Sequence, residues 1–330
     1  MTDVAIAKPV AAPDADAQRA AVLRRFRLTD AIFRNLTRSA AILVLVMLGG
    51  VILSLIEGSV PSMRAFGFGF LTSESWNPVT EKFGALSPIY GTLVTSAIAM
   101  LIATPIGIGI AIFLTEICPE NLRRPVGVAI ELLAGIPSII YGIWGLFVFA
   151  PFLQTTLQPL LINTLGNVPG LQTLFAGPPY GIGILTASIV LAIMVLPFVA
   201  SISRDVFMTV PSVLKEAAYG VGCTKWEVVR KVVIPYTRIG VIGGFMLGLG
   251  RALGETMAVT FVIGNAHKIT GSLLAPGTTI SASIANEFTE ADGVLYTSSL
   301  IQLGLILFGI TFVVLAISRL MLMRIEQKKG

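Results

Sequence analysis

Residues 210–235 read VPSVLKEAAYGVGCTKWEVVRKVVIP, a polar island between two long apolar runs. Pro211 and Ser212 suit a helix start, and Lys215, Glu216, Ala217 and Ala218 favour helix. Gly220 and Gly222 supply the permissive backbone that ends it. Thr224-Lys225-Trp226-Glu227 then matches a capping box, which predicts a second helix that starts near Lys225 and stops before Pro235. A DNA-reading helix-turn-helix also uses a Gly turn, and 204–238 holds six Lys/Arg against three acids. This hairpin is anchored at both ends to apolar segments, however, and is poorly placed to enter a groove. Nucleic acid is not an expected partner.

Outward from that island the chain is greasy. It is 55% hydrophobic and only 12% charged, where soluble domains carry about 25% charged residues. A bilayer crossing needs about 20 apolar residues. Six stretches qualify, at approximately 40–56, 89–114, 126–150, 182–203, 239–263 and 299–322. The reading is an all-α, polytopic integral membrane protein with the lipid bilayer as its surroundings. Alternate loops place nineteen Lys/Arg on one side and three (Arg64, Lys82 and Lys268) on the other, with Arg251 inside a span. By the positive-inside bias both termini and the 210–235 hairpin are cytoplasmic. Cys118 and Cys223 fall on that reducing side, so no disulfide is expected, and two thiols with the lone His267 do not make a structural zinc site.

In chain order, residues 1–18 read as disordered and 19–38 as a basic helix lying on the inner leaflet, together a cytoplasmic segment 1–38. A secretory signal competes for this region, but the apolar run lacks a small-x-small cleavage site, so an uncleaved anchor is preferred. The transmembrane domain covers 39–324, with a tail at 325–330. Pro105 and Pro197 should bend the second and fourth spans, and Pro137 lies within the third. The uncharged stretch 151–181 reads as a re-entrant or interfacial hairpin, because 153–165 is too short to span and contains Pro159. Gly240, Gly244 and Gly248 share one face of the fifth span, which should press on another helix. His267 reads as a solvated loop residue. GLGRALG lacks the strand that a nucleotide fingerprint needs, and no P-loop occurs, so no cofactor is expected.

Arg251 and Glu255 are the charges to explain. A central Arg costs about 2.5–3.5 kcal/mol even on the mild insertion scale. With Glu255 one turn on, the two could form a structural pair. Alternatively the guanidinium faces a water-filled path and meets an anion bidentately. Glu131, near the start of the third span, is a weaker candidate that could simply reach the interface.

Glu216-Ala217-Ala218, then Gly222, then Val232-x-Ile234-Pro235 resembles the EAA loop of ABC-importer permeases, a cytoplasmic knob that seats in the ATP-hydrolysing subunit. GRALGETMAV at 250–259, IYGTLVTS at 89–96, AGIPSIIYG at 134–142 and APGTTISASIANEF at 275–288 are similar to phosphate-specific ABC-importer permeases, the C-type rather than the A-type. The resemblance covers most of 88–320. It implies a type I importer fold with six spans in the cell inner membrane. It implies as partners a second homologous permease, two ATP-binding subunits and an extracytoplasmic phosphate-binding protein. It assigns Glu216, Ala217, Ala218 and Gly222 to coupling, and Arg251 with Glu255 to the substrate path. Other oxyanions, such as sulfate or molybdate, and an ATP-independent secondary transporter or channel remain the alternatives. A membrane enzyme is disfavoured, since no nucleophile–His arrangement occurs.

Overall fold

The computed structural model describes residues 13–327. Of the segment 1–18 expected to be disordered, residues 1–12 lie outside the described residues and 13–18 are helical. The chain divides into two units, 1–54 and 55–330. Helix α1 (Pro13–Phe66) starts in the first and ends in the second. Its apolar residues Ile42, Leu43, Val44 and Leu45 are exposed, as a crossing helix demands.

Five more helices are long and apolar enough to cross a membrane. They are α2 (Leu86–Ile117), α4 (Ser138–Thr164), α5 (Ile184–Met208), α7 (Lys225–Leu253) and α10 (Val294–Gln327). Between them lie α3 (Glu120–Ala134), α6 (Ser212–Gly220), α8 (Met257–Thr260) and α9 (Ile280–Glu287). Among the described residues there is no named strand, only an isolated bridge between Asn77 and Lys82. Six crossings therefore stand, but three boundaries differ from the sequence reading.

The third crossing does not begin at Val126. Pro137 has no N–H and disfavours helix at Ile136, so α3 stops at Ala134 and α4 starts at Ser138. That crossing then runs on to Thr164, so continuous helix replaces the first part of the re-entrant or interfacial hairpin expected over 151–181. Pro151 and Pro159 do not break it, because each follows a π turn, at Gly145–Phe149 and Leu153–Leu157. The same device sits at Val229–Val233 before Pro235, so α7 passes through the proline instead of stopping there. A wider turn moves the carbonyl that the pyrrolidine ring would strike.

The fifth crossing ends its helix early. Gly254 caps α7 after Leu253, and the chain from 254 to 279 is α8 plus irregular backbone. The sequence reading did not foresee this buried insert and ran the fifth span on to 263. Ile263, Leu274, Ile280 and Ala282 are fully buried. Non-helical backbone survives at depth only when protein satisfies it. Here Gly183 N donates to Val262 O (2.9 Å), Ile184 N to Ala275 O (3.2 Å) and Gly277 N to Ile263 O (3.0 Å). At Gly91 the insert comes so close that a Cβ would stand 1.8 Å from Thr278 O.

The core lies where α2, α5 and α7 meet, around Ala99, Ala103, Ala187, Val195 and Val199. Small residues let backbones approach, which matters where lipid removes the usual hydrophobic drive between helices. The Gly240, Gly244 and Gly248 face presses on α5: added Cβ atoms would meet Val206, Ile202 and Val199 in turn. At the end carrying the 67–85 connection, hydroxyls staple α1 to α10, with Ser62 N donating to Ser298 Oγ (3.0 Å) and the Ser62 and Ser299 hydroxyls 3.1 Å apart.

Candidate functional site

The match of Gly240, Gly244 and Gly248 to Val206, Ile202 and Val199 sets the depth of the next residues on α7. Arg251 comes level with Phe198, just past the midpoint of the 25-residue α5, with its Cζ 5.9 Å from that ring's centroid. A guanidinium over an aromatic face is attracted by the ring's quadrupole. The last turn of α7 also presents carbonyls, whose dipole favours a cation. Arg251 is exposed and has no carboxylate partner among the described residues.

Glu255 is not one helical turn from Arg251, because the helix has already ended at Gly254. Its Oε1 instead accepts from Ala258 N (3.3 Å), which serves the first turn of α8. The two residues are thus close in sequence but committed to different neighbours, and the structural-pair arrangement is absent.

Glu131 lies elsewhere. Its Oε1 is 2.5 Å from Arg204 Nη2, and Arg204 also reaches Asp205 at 2.8 Å. Arg204 is six residues beyond Phe198 on α5, about 9 Å along the axis. Glu131 and Arg204 line a cavity of about 680 Å³ with Arg123, Arg124 and Lys215, at the hairpin end. The structure does not bring Glu131 to Arg251.

In the hairpin, α6 closes with two bonds of a Schellman turn. Gly222 N donates to Tyr219 O (2.9 Å) and Cys223 N to Ala218 O (3.1 Å), with Gly222 at φ +88°. The capping box follows, Thr224 N donating to Glu227 Oε2 (2.9 Å) and Glu227 N to Thr224 Oγ1 (3.3 Å). Ala218 packs inward against Phe207, Val210, Val228 and Val233. Glu216 and Ala217 point outward beside exposed Val213, Val221 and Trp226.

At the opposite end a cluster appears that the sequence reading missed. His267 is not solvated: its side chain is 14% exposed, and its ring stacks on Trp76 at 4.7 Å. Glu287 accepts from Trp76 Nε1 and Tyr296 OH, each at 2.6 Å, and its other oxygen is 2.6 Å from His267 Nε2. One carboxylate thereby joins the 67–85 connection, the insert, α9 and α10. Burial works against its ionised form, but the bonds from His267, Tyr296 and Trp76 outweigh that and hold Glu287 below the usual carboxylate range. The only sequence signal was an acid and a His between the same two apolar runs.

Because the folded value is depressed, the cluster's contribution is full above the ordinary carboxylate value and fades as pH falls through the lower one. Glu287→Gln should cost about 1.5–3 kcal/mol at neutral pH, the worth of hydrogen bonds to a charged group. Thermal unfolding of parent and variant across pH checks this. A difference that does not shrink on acidification would contradict the assignment.

Residues 103–327 match the family model described as binding-protein-dependent transport system inner membrane component. The chain belongs to this family. The permease is 72% identical over 320 residues to the phosphate transport system permease protein PstC of Mesorhizobium japonicum, covering 97% of this chain and 98% of that one. It is 60% identical over 303 residues to the protein of the same name from Pasteurella multocida, covering 92% and 94%. A solved bacterial alginate ABC transporter, in complex with alginate pentasaccharide-bound periplasmic protein, contains a chain that aligns with TM-score 0.57 at 17% identity, over 94% of the permease and 97% of that chain. This last likeness concerns the fold. The permease is a multi-pass inner-membrane component of an ABC importer, not an enzyme, and such a component works with ATP-binding and substrate-binding partners.

Proposed function

We propose that this chain is the permease subunit of an ATP-driven importer and forms the transmembrane path for inorganic phosphate. The observation that carries the reading is Arg251, a guanidinium at mid-depth with no carboxylate partner among the described residues, in a chain 72% identical to a phosphate permease. A planar fork of donors fits a phosphate oxyanion bidentately. Glu255 shapes the adjoining turn through Ala258 N. Partners follow the same reading: a second homologous permease, two ATP-binding subunits and a phosphate-loaded binding protein outside. The termini and the hairpin face the cytoplasm, where Glu216, Ala217, Ala218 and Gly222 form the knob that meets an ATPase. The exposed apolar residues Val213, Val221 and Trp226 around Glu216 support a docking surface there.

The test is radiolabelled phosphate uptake by the complete complex in vesicles of known sidedness. Uptake should require ATP on the hairpin side and loaded binding protein on the other. Equal competition by sulfate or molybdate would reassign the substrate. ATP-independent uptake would make the chain a secondary transporter.

A further inference from the structure

Among the described residues, one ion pair joins α6 to another helix: Lys215 Nζ lies 2.5 Å from Glu116 Oε1, across 99 residues of chain. Glu116 is at the inner end of α2, in the π turn Phe113–Ile117, and its side chain is only 6% exposed. A buried carboxylate is costly unless it is paired, so this site is built around the lysine. Tyr219, one turn along α6, faces the same charge, and burial together with Glu116 raises its phenol above the ordinary value. Beside the pair the cavity of about 680 Å³ separates Lys215 from Arg123 and Arg124. The hairpin also packs on this end of α2, where Ala218, Val228 and Val233 share a core with Ala111 and Ile112, and the pair adds a polar tie to that contact.

From Glu116 a continuous path leads to Arg251. Helix α2 packs along α5 through Ala99, Ala103 and Val199. Its Met100 lies where a Cβ on Gly248 would meet it at 3.3 Å, less than one turn from Arg251. π turns recur at points where helices adjust during function.

We propose that Glu116 and Lys215 are positioning residues for transport: the pair carries displacement of the hairpin to α2, and α2 carries it to the level of Arg251. This rests on the importer reading. Neither residue touches substrate. Nothing in the EAA-like motif assigns a role to either, since Lys215 precedes it and Glu116 lies a hundred residues away.

The test uses the complete complex with two variants. Glu116→Gln with Lys215→Met removes both charges and strands neither. Assembly and unstimulated ATP hydrolysis should persist, while stimulation by loaded binding protein disappears and uptake falls at least about ten-fold, a barrier change of roughly 1.4 kcal/mol. Lys215→Arg keeps the pair and should retain coupling. Parent-like coupling in the neutral variant would overturn the proposal. So would its failure to assemble, which would make the pair scaffolding, and so would uncoupling in Lys215→Arg. The phosphate reading is judged separately, on whether phosphate-loaded binding protein stimulates the parent complex. If another oxyanion stimulates instead, the same variants are read with that anion.

Discussion

Exchanging Arg251 and Glu255, Arg251→Glu with Glu255→Arg, is expected to abolish phosphate uptake while leaving the complex able to assemble. Were the two a buried ion pair, exchange would restore the attraction and much of the function. The geometry argues otherwise. Arg251 belongs to the last turn of α7 and Glu255 follows the Gly254 cap, so their side chains do not share a helical face. Exchange puts a carboxylate against the negative end of the α7 dipole and along the path proposed for the anion. It also puts arginine, which accepts no hydrogen bond, where Glu255 Oε1 receives Ala258 N. Hydrogen bonds to a charged group contribute about 1.5–3 kcal/mol. Losing them at the transport barrier should slow uptake roughly ten- to hundred-fold, and repulsion of the anion adds to that. Complex yield and uptake are measured side by side. Near-normal uptake by the exchanged protein would reduce Arg251 to scaffolding.

Six crossings were legible because lipid demands long apolar runs, and 330 residues with so few charges leave little choice about where those runs lie. Their ends were less legible, for a reason visible at the prolines. Pro137 breaks a helix, Pro151, Pro159 and Pro235 each follow a π turn, and Pro105 and Pro197 sit inside uninterrupted α-helix. Whether a proline ends a helix therefore depends on how its neighbours satisfy the freed carbonyl, and residue identity alone does not announce it. Gly254 had the opposite effect. It ends α7 inside what hydropathy reads as one span, because the apolar residues after it, Val259, Val262 and Ile263, are buried by protein and not by lipid. Hydropathy does not distinguish those two apolar surroundings.

The same limit governs the charges. Arg251 stood out because a guanidinium within an apolar run is expensive. Its real neighbours, Phe198 at the same depth on α5 and the turn held by Glu255, depend on helix packing and on a helix end. Lys215 and Glu116 meet only because α6 folds back under α2. Glu287 needs four segments to assemble its partners. Long-range pairs of this kind leave no local periodicity, whereas the Schellman turn and capping box of the hairpin, set by residues within six positions, could be read directly.

That local legibility makes Gly222 the second residue at which substitution should matter most. Its φ of +88° lies where side chains are disfavoured, and the turn it makes aims α6 relative to α7. A Cβ added there meets nothing within 4 Å, so nothing in the chain itself resists a side chain sterically. What resists is the backbone conformation, about 1–2 kcal/mol for most residues and less for Asn or Asp, together with whatever partner the exposed tip meets. Gly222→Asp should therefore leave membrane insertion intact, since no crossing is touched. It should nevertheless cut uptake at least about ten-fold, by placing a second acid near Glu216 on the proposed docking face, a cost of roughly 1.4 kcal/mol or more. Gly222→Asn and Gly222→Ala separate the two causes. Asn tolerates the left-handed backbone and should transport better than Asp, while Ala strains the turn without adding charge. If Ala fails and Asn works, the turn itself is what coupling needs. Normal uptake and normal substrate-stimulated ATP hydrolysis in Gly222→Asp would remove this loop from the mechanism.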